Sequence, residues 1–127
     1  RTYVMAGLEI RLFDTEEAIL LNNEGRLCEA LSSNIFLIKN GIILTPEINE
    51  GPIDGVFRNF FLDIAKKLKL QIFETRLQIQ DLENADEVFL TNSLAGIRPV
   101  LKFRDRNYQI DMGLTLKETI KARWLNE

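Results

Sequence analysis

The spacing of apolar residues changes character along the chain, and each change predicts an element. Residues 3–13 place Val4, Leu8 and Leu12 at i, i+4 and i+8, which predicts a helix ending near Asp14 and Thr15. Residues 17–22 then carry the apolar run Ala18-Ile-Leu-Leu21, the pattern of a buried strand. Asn22-Asn23-Glu24-Gly25 follows and reads as a turn, because Asn and Gly tolerate positive φ. Residues 26–30 and 33–39 continue as strands. In the second, Ile35, Leu37 and Lys39 fall on one face, with Phe36 and Ile38 on the other. Asn40-Gly41 is a strong hairpin signal, with 42–45 as the returning strand, so 17–45 is expected to be an antiparallel meander.

After a turn-rich loop at 46–55 the period becomes helical. Val56, Phe60, Ile64 and Leu68 recur at i+4 steps, with Asp54 as the expected N-cap and Lys66, Lys67 and Lys69 suited to the negative end of the helix dipole. Residues 70–74 read as a strand, 79–84 as a short helix or turn, and 87–91 as a buried strand. Asn92–Gly96 is a loop. Residues 97–103 form a further strand, which Pro99 places near an edge or a bend. Lys102–Asn107 is a polar turn, 107–110 a possible short strand. A last helix over 114–125 carries Leu116, Ile120 and Trp124 in one stripe. The expected fold class is α+β: a curled, largely antiparallel sheet with flanking helices.

Composition narrows the chemistry. The chain has 127 residues, enough for one domain. Hydrophobic residues are 46% and charged residues 28%, a globular balance; a net charge of −3 gives no electrostatic footprint for nucleic acid. The absence of His removes Ser-His-Asp and Cys-His catalysis and His-ligated metal sites from this chain. The single Cys28 excludes an intrachain disulfide and any multi-Cys metal site, and reads as a small buried hydrophobe. No apolar run approaches the ~20 residues that cross a membrane. No membrane partner is expected, and the expected location is cytoplasmic.

Three stretches carry candidate chemistry. Glu29 lies among Leu27, Cys28, Ala30 and Leu31; a carboxylate in apolar company must be paired or protonated. It is either a strand-edge residue facing water or the partner of a cationic ring nitrogen. Gly51-Pro-Ile-Asp-Gly55-Val-Phe-Arg58 opens a helix, where free N–H groups and the dipole suit a phosphate, though such a turn can also merely cap the helix. Thr91-Asn92-Ser93-Leu94-Ala95-Gly96 follows a buried strand, either as the polar lip of a ligand cleft or as an ordinary turn. Glu83, Asp86 and Glu87 read as a solvated acidic edge.

The order of these stretches carries more than any one of them. Glu29-Ala-Leu-Ser-Ser-Asn34-Ile-Phe36, Leu44-Thr45-Pro46, Gly51 to Arg58, and Ala85-Asp-Glu-Val-Phe-Leu-Thr-Asn-Ser-Leu-Ala-Gly-Ile-Arg-Pro-Val100 together resemble the C-terminal part of the class IV aminotransferases, the fold type IV pyridoxal-phosphate enzymes. That family includes branched-chain and D-amino-acid aminotransferases and 4-amino-4-deoxychorismate lyase, and the 92–100 stretch is most similar to the lyase members. The resemblance implies a pyridoxal 5'-phosphate cofactor, a small-molecule amino substrate and a homodimer. It puts Glu29 against the pyridine nitrogen, the backbone N–H groups of Val56 and Phe57 on the phosphate, the Ser93 hydroxyl beside them, and Leu94 next to the substrate. Phe57 stands where aminotransferases often carry Thr; its N–H survives the exchange.

The same resemblance implies that no catalytic residue lies in this chain. The family's Schiff-base Lys would fall a few residues upstream of Arg1, and the first Lys here, Lys39, sits at the end of an expected strand. Residues 1–127 are therefore expected to be the C-terminal cofactor-binding domain of a larger two-domain enzyme, inactive alone. The implied activity of the whole is lyase chemistry releasing 4-aminobenzoate and pyruvate. Transamination of branched-chain or D-amino acids is the alternative within the family. A non-catalytic binding or assembly domain is the alternative outside it.

Overall fold

The computed structural model describes residues 8–126. It contains ten strands: β1 Glu9–Arg11, β2 Glu16–Leu21, β3 Leu27–Ala30, β4 Asn34–Lys39, β5 Ile42–Pro46, β6 Ile72–Thr75, β7 Glu87–Asn92, β8 Gly96–Pro99, β9 Lys102–Phe103 and β10 Arg106–Asn107. Three α-helices accompany them, α1 Val56–Lys67, α2 Ile79–Asn84 and α3 Asp111–Leu125, with a short 3-10 helix at Ile48–Glu50. The strands form two five-stranded sheets, ordered β10-β9-β1-β2-β3 and β6-β5-β4-β7-β8. All neighbours are antiparallel except β5 and β6, which α1 connects as a parallel pair. The expected α+β class is borne out.

The layering follows from β4. Its residues Asn34 to Ile38 are all buried, so both of its faces need cover. Ile35 and Leu37 face the first sheet and pack with Leu8, Ile10, Leu12, Ile19 and Leu27. Phe36 and Ile38 face the helices and pack with Phe57, Phe61, Ile64, Leu116 and Ile120. Phe36 stacks on Phe89 at 5.1 Å and meets Phe61 edge-on at 4.9 Å. Such pairs contribute about 0.5–1.5 kcal/mol beyond their buried area.

Several expectations are corrected. Residues 9–11 are a strand where a helix over 3–13 was expected. Leu8, Ile10 and Leu12 are buried while Glu9 and Arg11 are exposed, a period of two that also satisfies the i, i+4 spacing of Leu8 and Leu12. Val4 lies outside the described residues. The expected meander over 17–45 is instead two hairpins in different sheets. Residues 31–33 turn the chain from one sheet to the other, closed by the Ala30 N–H donating to the Ser33 carbonyl at 2.8 Å. The hairpin turn itself is as expected, with Asn40 and Gly41 at φ 51° and 78°. The strand expected over 97–103 breaks at 100–101, and its two halves join different sheets.

The acidic edge is also not all solvated. Glu87 is buried, and its carboxylate accepts the Met112 and Gly113 N–H groups at 2.9 and 2.8 Å, capping α3 from a neighbouring strand. Asp86 accepts the Asn40 N–H at 2.8 Å, which holds its carboxyl below the usual carboxylate range. Among the described residues, no helix is long and apolar enough to cross a membrane.

Candidate functional site

The two sheets and α1 converge at one end of the molecule. There β3 ends at Ala30, β4 begins at Asn34, β7 ends at Asn92 and α1 begins at Val56. Asn34 and Thr91 are register partners on the two central strands, so the end of the second sheet presents both. Between these termini lies an open cleft of about 230 Å³, lined by Glu29, residues 31–34, Ile53, residues 55–58 and residues 91–93. Four of the five expected site residues, Glu29, Val56, Phe57 and Ser93, line it. Leu94 does not. It is fully exposed and lines an adjoining groove with Phe57, Ser93, Trp124, Lys117 and Lys121.

Glu29 is 4% exposed, so it is not a water-facing strand residue. Its Oε1 accepts the Ile53 N–H at 2.6 Å, and Asn34 Nδ2 donates to the Ile53 carbonyl at 2.8 Å. Residues from β3 and β4 thus grip Ile53 by both backbone groups. That fixes the last loop before α1. Gly55 follows as the N-cap, and the expected cap, Asp54, instead accepts from Asn59 Nδ2 at 2.7 Å. A Cβ on Gly55 would stand 2.6 Å from Asn34 Oδ1, so only glycine fits while Asn34 holds Ile53.

No side chain caps α1. The first-turn N–H groups of a helix have no intrahelical acceptor, and here they belong to Val56, Phe57 and Arg58, which line the cleft. Phe57 explains its own departure from Thr: its ring is buried against Phe60 at 6.0 Å and Trp124 at 5.0 Å, so its side chain serves the core and its backbone serves the cleft. Arg58 is anchored rather than available, with Nη2 donating to Glu74 at 2.7 Å and to the Pro46 carbonyl at 3.1 Å. Thr91 Oγ1 is buried at the cleft and has no partner among the described residues. The sequence placed Thr91 in a candidate cleft lip without a role of its own, and gave no role to Ser33 or Asn34. The signal was the polar Ser32-Ser33-Asn34 run between two apolar strands.

A buried carboxylate on one wall and uncapped helix N–H groups with hydroxyls on another define a cleft for an anionic group joined to a protonated ring or amine. Comparison with known proteins gives the family. The family model for amino-transferase class IV matches residues 2–103, and the chain belongs to that family of pyridoxal-phosphate enzymes. It is 36% identical over 105 residues to the Thermotoga maritima protein named "Probable branched-chain-amino-acid aminotransferase", covering 83% of this chain and 38% of the relative. It is 36% identical over 97 residues to the aminodeoxychorismate lyase of Bacillus subtilis, covering 76% of this chain and 31% of the relative. Among solved structures, the branched-chain aminotransferase of Thermoproteus uzoniensis with norvaline superposes with a TM-score of 0.83 at 31% identity, over 87% of this chain and 37% of that one. The chain therefore spans well under half the length of these relatives.

Proposed function

We propose that residues 1–127 are the cofactor-cradling C-terminal domain of a two-domain pyridoxal-phosphate enzyme, a 4-amino-4-deoxychorismate lyase. The residues present fit the cofactor. Glu29 is an acceptor for a ring N–H, and Val56, Phe57, Thr91 and Ser93 supply donors for a phosphate. When bound, pyridoxal phosphate supplies an electron-withdrawing ring that stabilises negative charge on the substrate's α-carbon. The protein's part is electrostatic and positional. Glu29 would keep the ring nitrogen protonated. The first turn of α1 would hold the phosphate. The exposed side chains of Ile53 and Val56 give the cleft an apolar rim. Among the described residues no Lys lines the cleft, and Lys39 lies away from it, 3.6 Å from Asp86. On this reading the covalent anchor and the proton shuttle at the α-carbon would come from the remainder of a homodimeric enzyme.

One observation carries the lyase over the aminotransferase. A 2-oxo acid carries its carboxylate on the reacting carbon and needs donors there, whereas the carboxylates of aminodeoxychorismate lie away from its amine-bearing carbon. In the loop after β7, the Leu94 and Ala95 N–H groups already donate to Asn92 Oδ1, at 3.1 and 2.7 Å. In the groove that adjoins the cleft, the loop offers a substrate mainly the apolar Leu94 and Ala95 side chains, which suit a ring. The second reading, a branched-chain aminotransferase, draws support from the Thermotoga and Thermoproteus relatives.

The whole enzyme should be given aminodeoxychorismate and, separately, branched-chain and D-amino acids with 2-oxoglutarate. The lyase reading expects 4-aminobenzoate and pyruvate without amino transfer. Efficient transamination with no 4-aminobenzoate would replace it by the second reading. The 127-residue chain alone is expected to release nothing from either mixture.

A further inference from the structure

We propose that Ser33 is an additional hydrogen-bond donor to the cofactor, and that Arg98 and Glu17, which do not touch the cleft, are the residues that position it. This rests on the pyridoxal-phosphate reading above and adds to it a residue and a mechanism of control. Ser33 lines the cleft beside Asn34 and Asn92. Its Oγ accepts from two directions at once, from Arg98 Nη2 at 3.0 Å and from Asn92 Nδ2 at 3.0 Å. A serine hydroxyl has two lone pairs and one proton. With both lone pairs engaged, only the proton remains to be offered, and the cleft is where an acceptor can meet it.

The orientation of each neighbour is forced. Asn92 Oδ1 accepts the Leu94 and Ala95 N–H groups, and Nδ2 also donates to the Ser32 carbonyl at 3.3 Å, so its amide cannot be turned over. Arg98 is held by an ion pair with Glu17 across the two sheets, Arg98 on β8 and Glu17 on β2. Ser32 Oγ joins the same Glu17 oxygen at 3.3 Å. The pair is largely buried, and Glu17 Oε1 and Arg98 Nε are left without partners among the described residues. A pair retained with unsatisfied atoms is poorly explained by stability, because a buried ion pair gains little over packed apolar side chains. It is better explained by what it holds, the 31–33 corner and through Asn92 the 92–96 loop.

The test measures the dissociation constant for pyridoxal phosphate by fluorescence titration of the whole apoenzyme. Ser33→Ala should raise it about three- to tenfold, the range for one lost hydrogen bond. Removing Arg98 alone would strand the Glu17 charge and endanger folding, so the pair is replaced together as Glu17→Leu/Arg98→Met. This variant should keep the wild-type melting temperature within a few degrees yet weaken binding by a similar factor. Combining it with Ser33→Ala should add little, within about twofold, because both act through one hydroxyl. A pair that only braces the fold would instead give additive effects, or none on binding. Either result overturns the proposal, as does an unchanged Ser33→Ala. If the wild-type enzyme itself failed to bind, the cofactor reading would fall first.

Discussion

Glu29→Gln in the whole enzyme should fold normally and lose at least about tenfold in kcat. The amide keeps a carbonyl oxygen where Oε1 now accepts the Ile53 N–H at 2.6 Å, so the loop before α1 retains its anchor. What is lost is the negative charge. A hydrogen bond to a charged partner contributes about 1.5–3 kcal/mol, and 1.4 kcal/mol is about tenfold in rate, so the expected loss is roughly ten- to a hundredfold. The effect should sit in kcat, since the protonated ring matters most once charge develops on the substrate. Turnover near wild type would reduce Glu29 to a residue that holds the Ile53 loop.

The largest loss of stability is expected from Arg58→Met. The Arg58 side chain is 1% exposed and ties the first turn of α1 to β5 through the Pro46 carbonyl and to β6 through Glu74. Breaking a buried pair by removing one partner costs about 3–5 kcal/mol. Glu74 is 38% exposed and can turn to water, which moves the expectation to about 2–3 kcal/mol, still a large share of the ~5–15 kcal/mol that holds a domain together. Urea unfolding of the variant should show a lower midpoint at unchanged slope. A loss below about 0.5 kcal/mol, the size of an ordinary surface change, would mean that the pair does not anchor α1.

The elements that could be read from the sequence are those with a long or redundant pattern. The period of α1 extends over three turns, and Asn40-Gly41 names its own turn because both residues adopt positive φ. β1 failed because three residues cannot distinguish a period of two from one of nearly four. The split of the meander into two sheets was hidden because every residue of β3 is buried, so its pattern contains no inside and outside. Glu87 looked solvated because its partners, Met112 and Gly113, lie 25 and 26 residues further on. At the site, Glu29, Val56, Phe57 and Ser93 were found through the order of motifs, and the chain does bring them to one cleft. Leu94 fell outside it, because Asn92 folds the 92–96 loop back on itself. Ser33 escaped notice, and Thr91 was seen only as part of a polar lip, since nothing in a single hydroxyl residue tells whether its partners are used up.

In the proposed enzyme the head of α1 and the Glu29 carboxylate hold the two ends of one cofactor. A crystal structure of the whole enzyme grown with pyridoxal phosphate tests it most directly. The expected result has the phosphate oxygens on the Val56 and Phe57 N–H groups and the pyridine nitrogen within hydrogen-bonding distance, about 2.7–2.9 Å, of Glu29. A phosphate bound away from α1, or a ring nitrogen with no contact to Glu29, would contradict it.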